Sequence, residues 1–332
     1  MTKLESTEQP SRSYLRNSTL IGIVIAVVYG LTLRLSFGLP FESHWTNSGI
    51  WIMTSAFLFG GPLVIGLVTV NGASESLKKK VWFWFLGPWL PTSLVCALAF
   101  LFRIEGAICI VIGLPIMLFG SSVGGLIVGL YARKLSRGTT ACIAILPLLL
   151  APAQARLDDP LQFRTVSSQI RIHAPADVVW RNIARVPAIS PAELQPNWTH
   201  RIGFPRPVEA TLSYEGIGGV RHATFEHGLL FIETVTAWEP EHRLAFSIHA
   251  DTAHIPPTTL DEHVTIGGRY FDVLDGEYSL ESLPNGDILL HLTSRQRLST
   301  GFNEYAGFWT DAVMQNLQTS ILKVVQRRCE HE

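Results

Sequence analysis

Five apolar runs, each close to the length needed to cross a bilayer as a helix, fill the first 155 residues of this 332-residue chain. About 20 apolar residues span the hydrocarbon core. The runs cover residues 18–39, 49–70, 81–102, 106–131 and 138–155. Their only charged residue is Arg34, which sits near one end of the first run, where a long side chain can carry its charge to the headgroups. The fifth run is the shortest and contains Pro147 and Pro152. Buried helices of a soluble protein would carry polar faces that these runs lack. The expectation is an N-terminal all-α transmembrane bundle of about five helices over residues 1–155.

Lys and Arg in the short loops set orientation. The N-terminal tail carries Lys3, Arg12 and Arg16, the second loop Lys78, Lys79 and Lys80, and the fourth Arg133, Lys134 and Arg137. The alternate loops hold only Arg34 and Arg103. The N-terminus is therefore expected in the cytoplasm. With five spans, the C-terminal domain is expected outside it, giving a multi-pass cell-membrane protein. Gly120, Gly124, Gly125 and Gly129 recur at spacings that let helices approach closely, which explains them without a substrate path. No run carries the paired charges of an ion or proton pathway. Trp82, Trp84 and Trp89 read as interfacial anchors. The segment Ala151-Pro-Ala-Gln-Ala155 also resembles the small-x-small end of a signal peptide, so a short helix and cleavage after Ala155 both remain open.

Residues 156–332 differ in kind. They hold 15 Lys and Arg against 22 Asp and Glu, while residues 1–155 hold 11 against 5. Ten of the 11 His also lie there. An acidic domain without a basic stripe does not suit nucleic acid as a partner. Cys96, Cys109 and Cys142 lie in apolar runs and Cys329 stands alone, with no disulfide or metal spacing.

After a polar linker the hydrophobic period becomes two. Val166, Ser168, Ile170 and Ile172 alternate with polar residues as in a half-buried strand. Pro175 opens a helix over residues 176–185. Strands are expected over 209–214, 220–226, 229–238, 243–249, 270–283 and 287–298. Asn285-Gly286 forms a tight hairpin turn, and Gly218-Gly219 and Glu239-Pro240 mark others. Tyr305, Trp309, Val313, Leu317, Ile321 and Val324 recur every three or four residues and give one long helix over 303–328. A single antiparallel layer must cover its apolar face, and one long helix lying across a curved sheet does so while leaving an apolar gap.

The segment from Ile170 to Trp180, IRIHAPADVVW, with this strand order and closing helix, resembles the START-like, or polyketide cyclase/lipid-transport (SRPBCC), superfamily over roughly residues 165–328. The resemblance implies a C-terminal α+β helix-grip domain over 156–332, its antiparallel sheet wrapped around the long C-terminal helix. It implies an apolar cavity and no single activity.

Aromatic residues are dense from Phe231 to Trp309, and core packing is their default role. Tyr305 and Trp309, one turn apart on the closing helix, are the first candidates for lining a cavity, with Tyr270 and Tyr278. Glu233, His291 and Arg295 are the candidate polar groups, since alternate strand residues face inward; His222 and Glu226 belong to the same class. His249, His254 and His263, with Asp251, Asp261 and Glu262, match no metal spacing and read as loop residues. No P-loop, dinucleotide fingerprint or catalytic triad is visible, so neither cofactor nor metal is expected. Asn197-Trp-Thr199 fits the glycosylation sequon, a pattern common by chance. The expected function is a membrane-tethered module that holds a lipid-like or other hydrophobic ligand beside the bilayer. A cyclase- or hydrolase-type enzyme and a sensor coupled to the helices are the alternatives. Oligomeric state stays open.

Overall fold

A computed structural model describes residues 12–38, 54–131, 136–154, 157, 159–251 and 266–331. Lys3, Arg133, Lys134, the start of the second apolar run, Ala155 with its cleavage reading, and the loop with His254, Asp261, Glu262 and His263 lie outside these residues. The chain divides into two compact units, Met1–Glu105 with Cys109–Asp158, and Asp159–Glu332 with Gly106–Ile108.

The first unit is helical. It contains α1 (Arg12–Gly38), a π-helical turn (Ala56–Gly60) running into α2 (Gly61–Asn71), α3 (Glu75–Lys78), α4 (Val81–Leu86), α5 (Trp89–Leu101), α6 (Ala107–Tyr131) and α7 (Arg137–Gln154). Among the described residues, three stretches are long and apolar enough to cross a membrane: Ser18–Ser36, Val81–Leu101 and Ala107–Tyr131. Ala56–Asn71 and Gly138–Ala151 are shorter apolar helices, so length and composition support three of the five expected spans.

Contacts inside this unit join groups that the sequence left separate. Arg34 is paired with Glu105, and its Nη2 donates to the Ile104 carbonyl at 3.0 Å. Two of the three expected anchor tryptophans are bonded within the protein. Trp84 Nε1 donates to the Lys78 carbonyl at 2.6 Å, and Trp89 Nε1 donates to Ser122 Oγ at 2.8 Å. Glycine makes the close approaches possible. A Cβ on Gly124 would lie 1.9 Å from the Leu63 carbonyl oxygen, and one on Gly129 would lie 2.1 Å from the Trp84 ring. The Gly-rich face of α6 thus packs against neighbouring backbone, as small residues allow.

The second unit is α+β. It contains β1 (Leu161–Ile172), α8 (Ala176–Ala184), α9 (Trp198–Arg201), β2 (Pro207–Leu212), β3 (Val220–Phe225), β4 (Leu230–Glu239), β5 (Arg243–Asp251), β6 (Phe271–Ser282), β7 (Ile288–Ser299) and α10 (Asn303–Cys329). The strands form one antiparallel sheet in the order β1-β7-β6-β5-β4-β3-β2. Pro175 stands just before α8 as its N-cap. Gly286, at φ 90°, supplies the positive φ of the β6–β7 turn, a conformation that costs glycine nothing.

Strand alternation decides what the sheet buries. On β7, Leu290 and Leu292 point to the core with Leu244, Phe246 and Tyr278 of neighbouring strands. Trp180 and Ile183 of α8 and Leu322 and Val325 of α10 close over them. Register shifts in β2, β4 and β6 mark the bulges that bend such a sheet. A bent antiparallel sheet with one long covering helix fits the helix-grip class.

Candidate ligand-binding site

At one place on its core face the sheet buries an ion pair among apolar neighbours. Arg221 on β3 stands directly opposite Glu233 on β4, and both side chains are buried, at 4% and 6% exposure. Arg221 Nη1 donates to Glu233 Oε2. Tyr278 on β6, itself 3% exposed, lies near enough for its hydroxyl and the guanidinium to interact electrostatically. The Arg221 ζ carbon lies 5.6 Å from the centre of the Phe246 ring on β5, within cation–π range. The ring has room because residue 276 is glycine: a Cβ there would sit 2.7 Å from the ring. Four strands therefore converge on one guanidinium. Its Nε is buried without a hydrogen-bond partner among the described residues.

The electrostatics follow from burial. Desolvation pushes the Glu233 carboxyl above its ordinary range, against the downward pull of Arg221. Burial likewise raises the Tyr278 hydroxyl, so it stays protonated at neutral pH. Burying two charges costs several kcal/mol per ion even after relaxation, roughly what the pair's attraction returns. Apolar residues of the same size would hold a core together equally well. A paired charge kept in that position is therefore a functional-site candidate.

A second polar seam lies between the sheet and α10. Arg164 Nε donates to both carboxylate oxygens of Asp311, at 3.0 and 3.1 Å. Gln296 Nε2 donates to Asp311 Oδ1 at 2.8 Å. Gln318 Nε2 donates to the Val166 carbonyl and to Ser294 Oγ, each at 3.0 Å, and its Oε1 accepts from Ser168 Oγ at 2.9 Å. This seam fixes α10 over β1 and β7.

Of the residues expected at the site, Glu233 and Tyr278 come together, through Arg221. His291 and Arg295 do not join them. On β7 the even-numbered residues face α10, so these two stand on the other face of the sheet, paired with Glu281 at 3.4 Å and Asp275 at 2.6 Å. His222 is exposed for the same reason, and Glu226 accepts from the Arg206 amide at 3.2 Å. Tyr270 is buried at the start of β6 beside Arg269, and burial pushes its hydroxyl up to about 12. Tyr305 and Trp309 lie half-buried on the first turns of α10, and Trp309 Nε1 is buried with no partner among the described residues. His249 is exposed on β5, and no group of three or more metal-binding side chains occurs among the described residues. Asn197 of the sequon caps α9, accepting from the His200 amide at 2.9 Å and donating to Ser320 Oγ at 2.6 Å.

Arg221 was not expected. Its signal was phase: in Val220-Arg-His-Ala-Thr-Phe225 the inward set is Arg221, Ala223 and Phe225. Val220, apolar but on the outer set, obscures that alternation.

No protein-family model matches the chain. No curated protein matches it either. Solved structures do. The Zhui aromatase/cyclase from Streptomyces sp. R1128 is 17% identical, with 51% of this chain and 95% of that one covered at a TM-score of 0.34. A START superfamily protein from Mycobacterium smegmatis is 11% identical, with 50% and 97% covered at 0.33. Norcoclaurine synthase from Thalictrum flavum is 13% identical, with 50% and 94% covered at 0.30. Each of these likenesses takes in about half of this chain.

Proposed function

We propose that the second unit is a binding module for a hydrophobic small molecule or lipid that carries one polar group, and that the first unit tethers it to a membrane. The observation that carries this reading is the buried Arg221–Glu233–Tyr278 set among the apolar residues Val235, Phe246 and Ala223. Ligand sites combine apolar walls with a few convergent polar groups. The unpartnered Arg221 Nε is a donor suited to an oxygen on the ligand. In this reading five spans cross the cell membrane, the N-terminus is cytoplasmic and the binding unit lies outside the cytoplasm. Neither nucleic acid nor a cofactor takes part.

The test is mass spectrometry of small molecules retained by the purified full chain. A hydrophobic compound retained by the wild type and lost from Arg221→Met/Glu233→Leu supports binding at this set. Equal retention by both overturns it. Orientation is read separately: an impermeant thiol reagent should label an exposed Ile217→Cys in intact spheroplasts, and labelling only after lysis would reverse it.

A catalytic reading rests on one observation, the raised Glu233 carboxyl beside a protonated Tyr278. Turnover of a retained compound that disappears in Glu233→Gln would favour it.

A further inference from the structure

We infer that the corner of the second unit where β1 begins and α10 starts rests on the lipid surface. The inference assumes the membrane tether proposed above. Three large apolar side chains at this corner are mostly exposed: Leu161 at 64%, Phe163 at 59% and Phe308 at 65%. Leu161 and Phe163 share the outer face of β1, an edge strand. Phe308 lies one turn beyond Glu304, which accepts from Gln162 Nε2 at 3.3 Å, so it flanks the same edge from the helix side. Among the described residues of the unit, Tyr214 and Ile217, both in the β2–β3 turn, are exposed to a similar degree, at 53% and 70%. Exposed apolar residues gathered at one place mark an interaction surface.

Chain connection selects the partner. Leu161 follows the apolar helix Gly138–Ala151 by roughly ten residues, which reach about 35 Å at full extension. With that helix in a bilayer, the corner cannot be far from the headgroups. It is also held in a fixed attitude to its own leading segment. Asn303 Nδ2 donates to the Pro160 carbonyl at 2.6 Å, and Ser299 Oγ to the Asp159 carbonyl at 3.3 Å. Arg269 pairs with Asp159 at 3.5 Å. Asp159 and Pro160, which lead into β1, are thus fastened beside the first turn of α10, next in sequence to Leu161 and Phe163. Leucine and phenylalanine suit the boundary between headgroups and acyl chains.

Photo-crosslinking tests this on the full chain reconstituted in phosphatidylcholine/phosphatidylglycerol vesicles. A benzophenone amino acid is placed singly at positions 163, 308, 217 and 24. Ile217 is 70% exposed in the β2–β3 turn, at the opposite end and opposite edge of the sheet. Val24 is 58% exposed on α1. Lipid adducts at 24, 163 and 308, at least fivefold above those at 217, are expected. Adducts at 24 without adducts at 163 and 308 overturn the corner and leave the tether standing. Crosslinks from 163 or 308 to a second copy of the chain, in place of lipid, also overturn it. No adduct at 24 removes the tether, and the corner falls with it.

Discussion

Asp311 on α10 holds the guanidinium of Arg164 on β1 through both carboxylate oxygens, with Gln296 donating to one of them. A residue near the start of the sheet is thereby bound to the helix that covers it. The guanidinium also lies against Gly307, where a Cβ would come within 2.7 Å of its ζ carbon. Asp311→Asn keeps the shape and removes the charge. The expected cost is roughly 1–2 kcal/mol, toward the low end for a charged hydrogen bond because both groups are partly exposed. Thermal unfolding of the second unit, followed by near-ultraviolet circular dichroism, measures it. An unchanged midpoint would show that the pair does not hold the helix.

Arg221 and Glu233 call for a three-way comparison. Removing one partner strands the other charge in the core, which typically costs about 3–5 kcal/mol. Arg221→Met and Glu233→Leu singly should each be strongly destabilising. Their combination should recover most of the loss, since apolar residues of similar volume fill the space. Denaturant titrations of the three variants decide this. A double variant as unstable as the singles would make the pair structural and weaken its assignment to a ligand.

Glu193 gives a pH signature. Its carboxyl accepts from Arg328 Nε at 2.6 Å and from the Ser190 amide at 2.7 Å, and these bonds, the Arg328 one foremost, lower it to about 2. The folded value lies below the ordinary one near 4.5, so its stabilising contribution is whole above pH 4.5. That contribution is lost as pH falls through about 2. Glu193→Gln should therefore be less stable at neutral pH, and its stability should fall less between pH 4.5 and 2. Identical acid profiles for the two proteins would remove this pairing from the account.

In the helical unit, Gly124→Ala places a methyl group against the Leu63 carbonyl, where a Cβ would lie 1.9 Å from the oxygen. Overpacking of this kind costs about 1–3 kcal/mol, and rigid backbone on both sides puts it at the upper end. Gly113→Ala is the control, because its Cβ would meet only the Met117 sulfur at 4.0 Å. Thermal inactivation in mild detergent should separate the two variants, with Gly124→Ala the weaker. Equal behaviour would mean that α6 and its neighbours are less closely packed than described.

Much of the second unit was legible because its signals are local. Val166, Ile170 and Ile172 alternate cleanly, Asn285-Gly286 names its own turn, and the apolar spacing from Tyr305 to Val324 is helical. The site was legible only in part. Period two says that Glu233 or His291 faces one side or the other, and only pairing with neighbours says which. Glu233 lies opposite Arg221 and is buried, while His291 falls on the outer face with Glu281. Arg221 was hidden because an arginine in a short strand reads as solvated unless the phase is known. The Arg34–Glu105 pair joins positions far apart in sequence that no local pattern connects. In the first unit the second apolar run begins outside the described residues, and the helix Arg137–Gln154 carries a shorter apolar stretch, Gly138–Ala151.

Strand order has a consequence for how the chain is made. β1 is the first strand of its unit to be synthesised, yet its neighbour is β7, with Leu161 opposite Ser299 and Ile172 opposite Ile288. The strands between them can pair with sequence neighbours as each appears, while β1 must wait for the last strand. At roughly 5–20 residues per second, that interval lasts on the order of ten seconds. For that time β1 offers two unpaired edges and loose apolar side chains beside the segment that leads from the helices. Closure of the unit is thus a late event in which β7 and α10 arrive together and capture a strand already waiting.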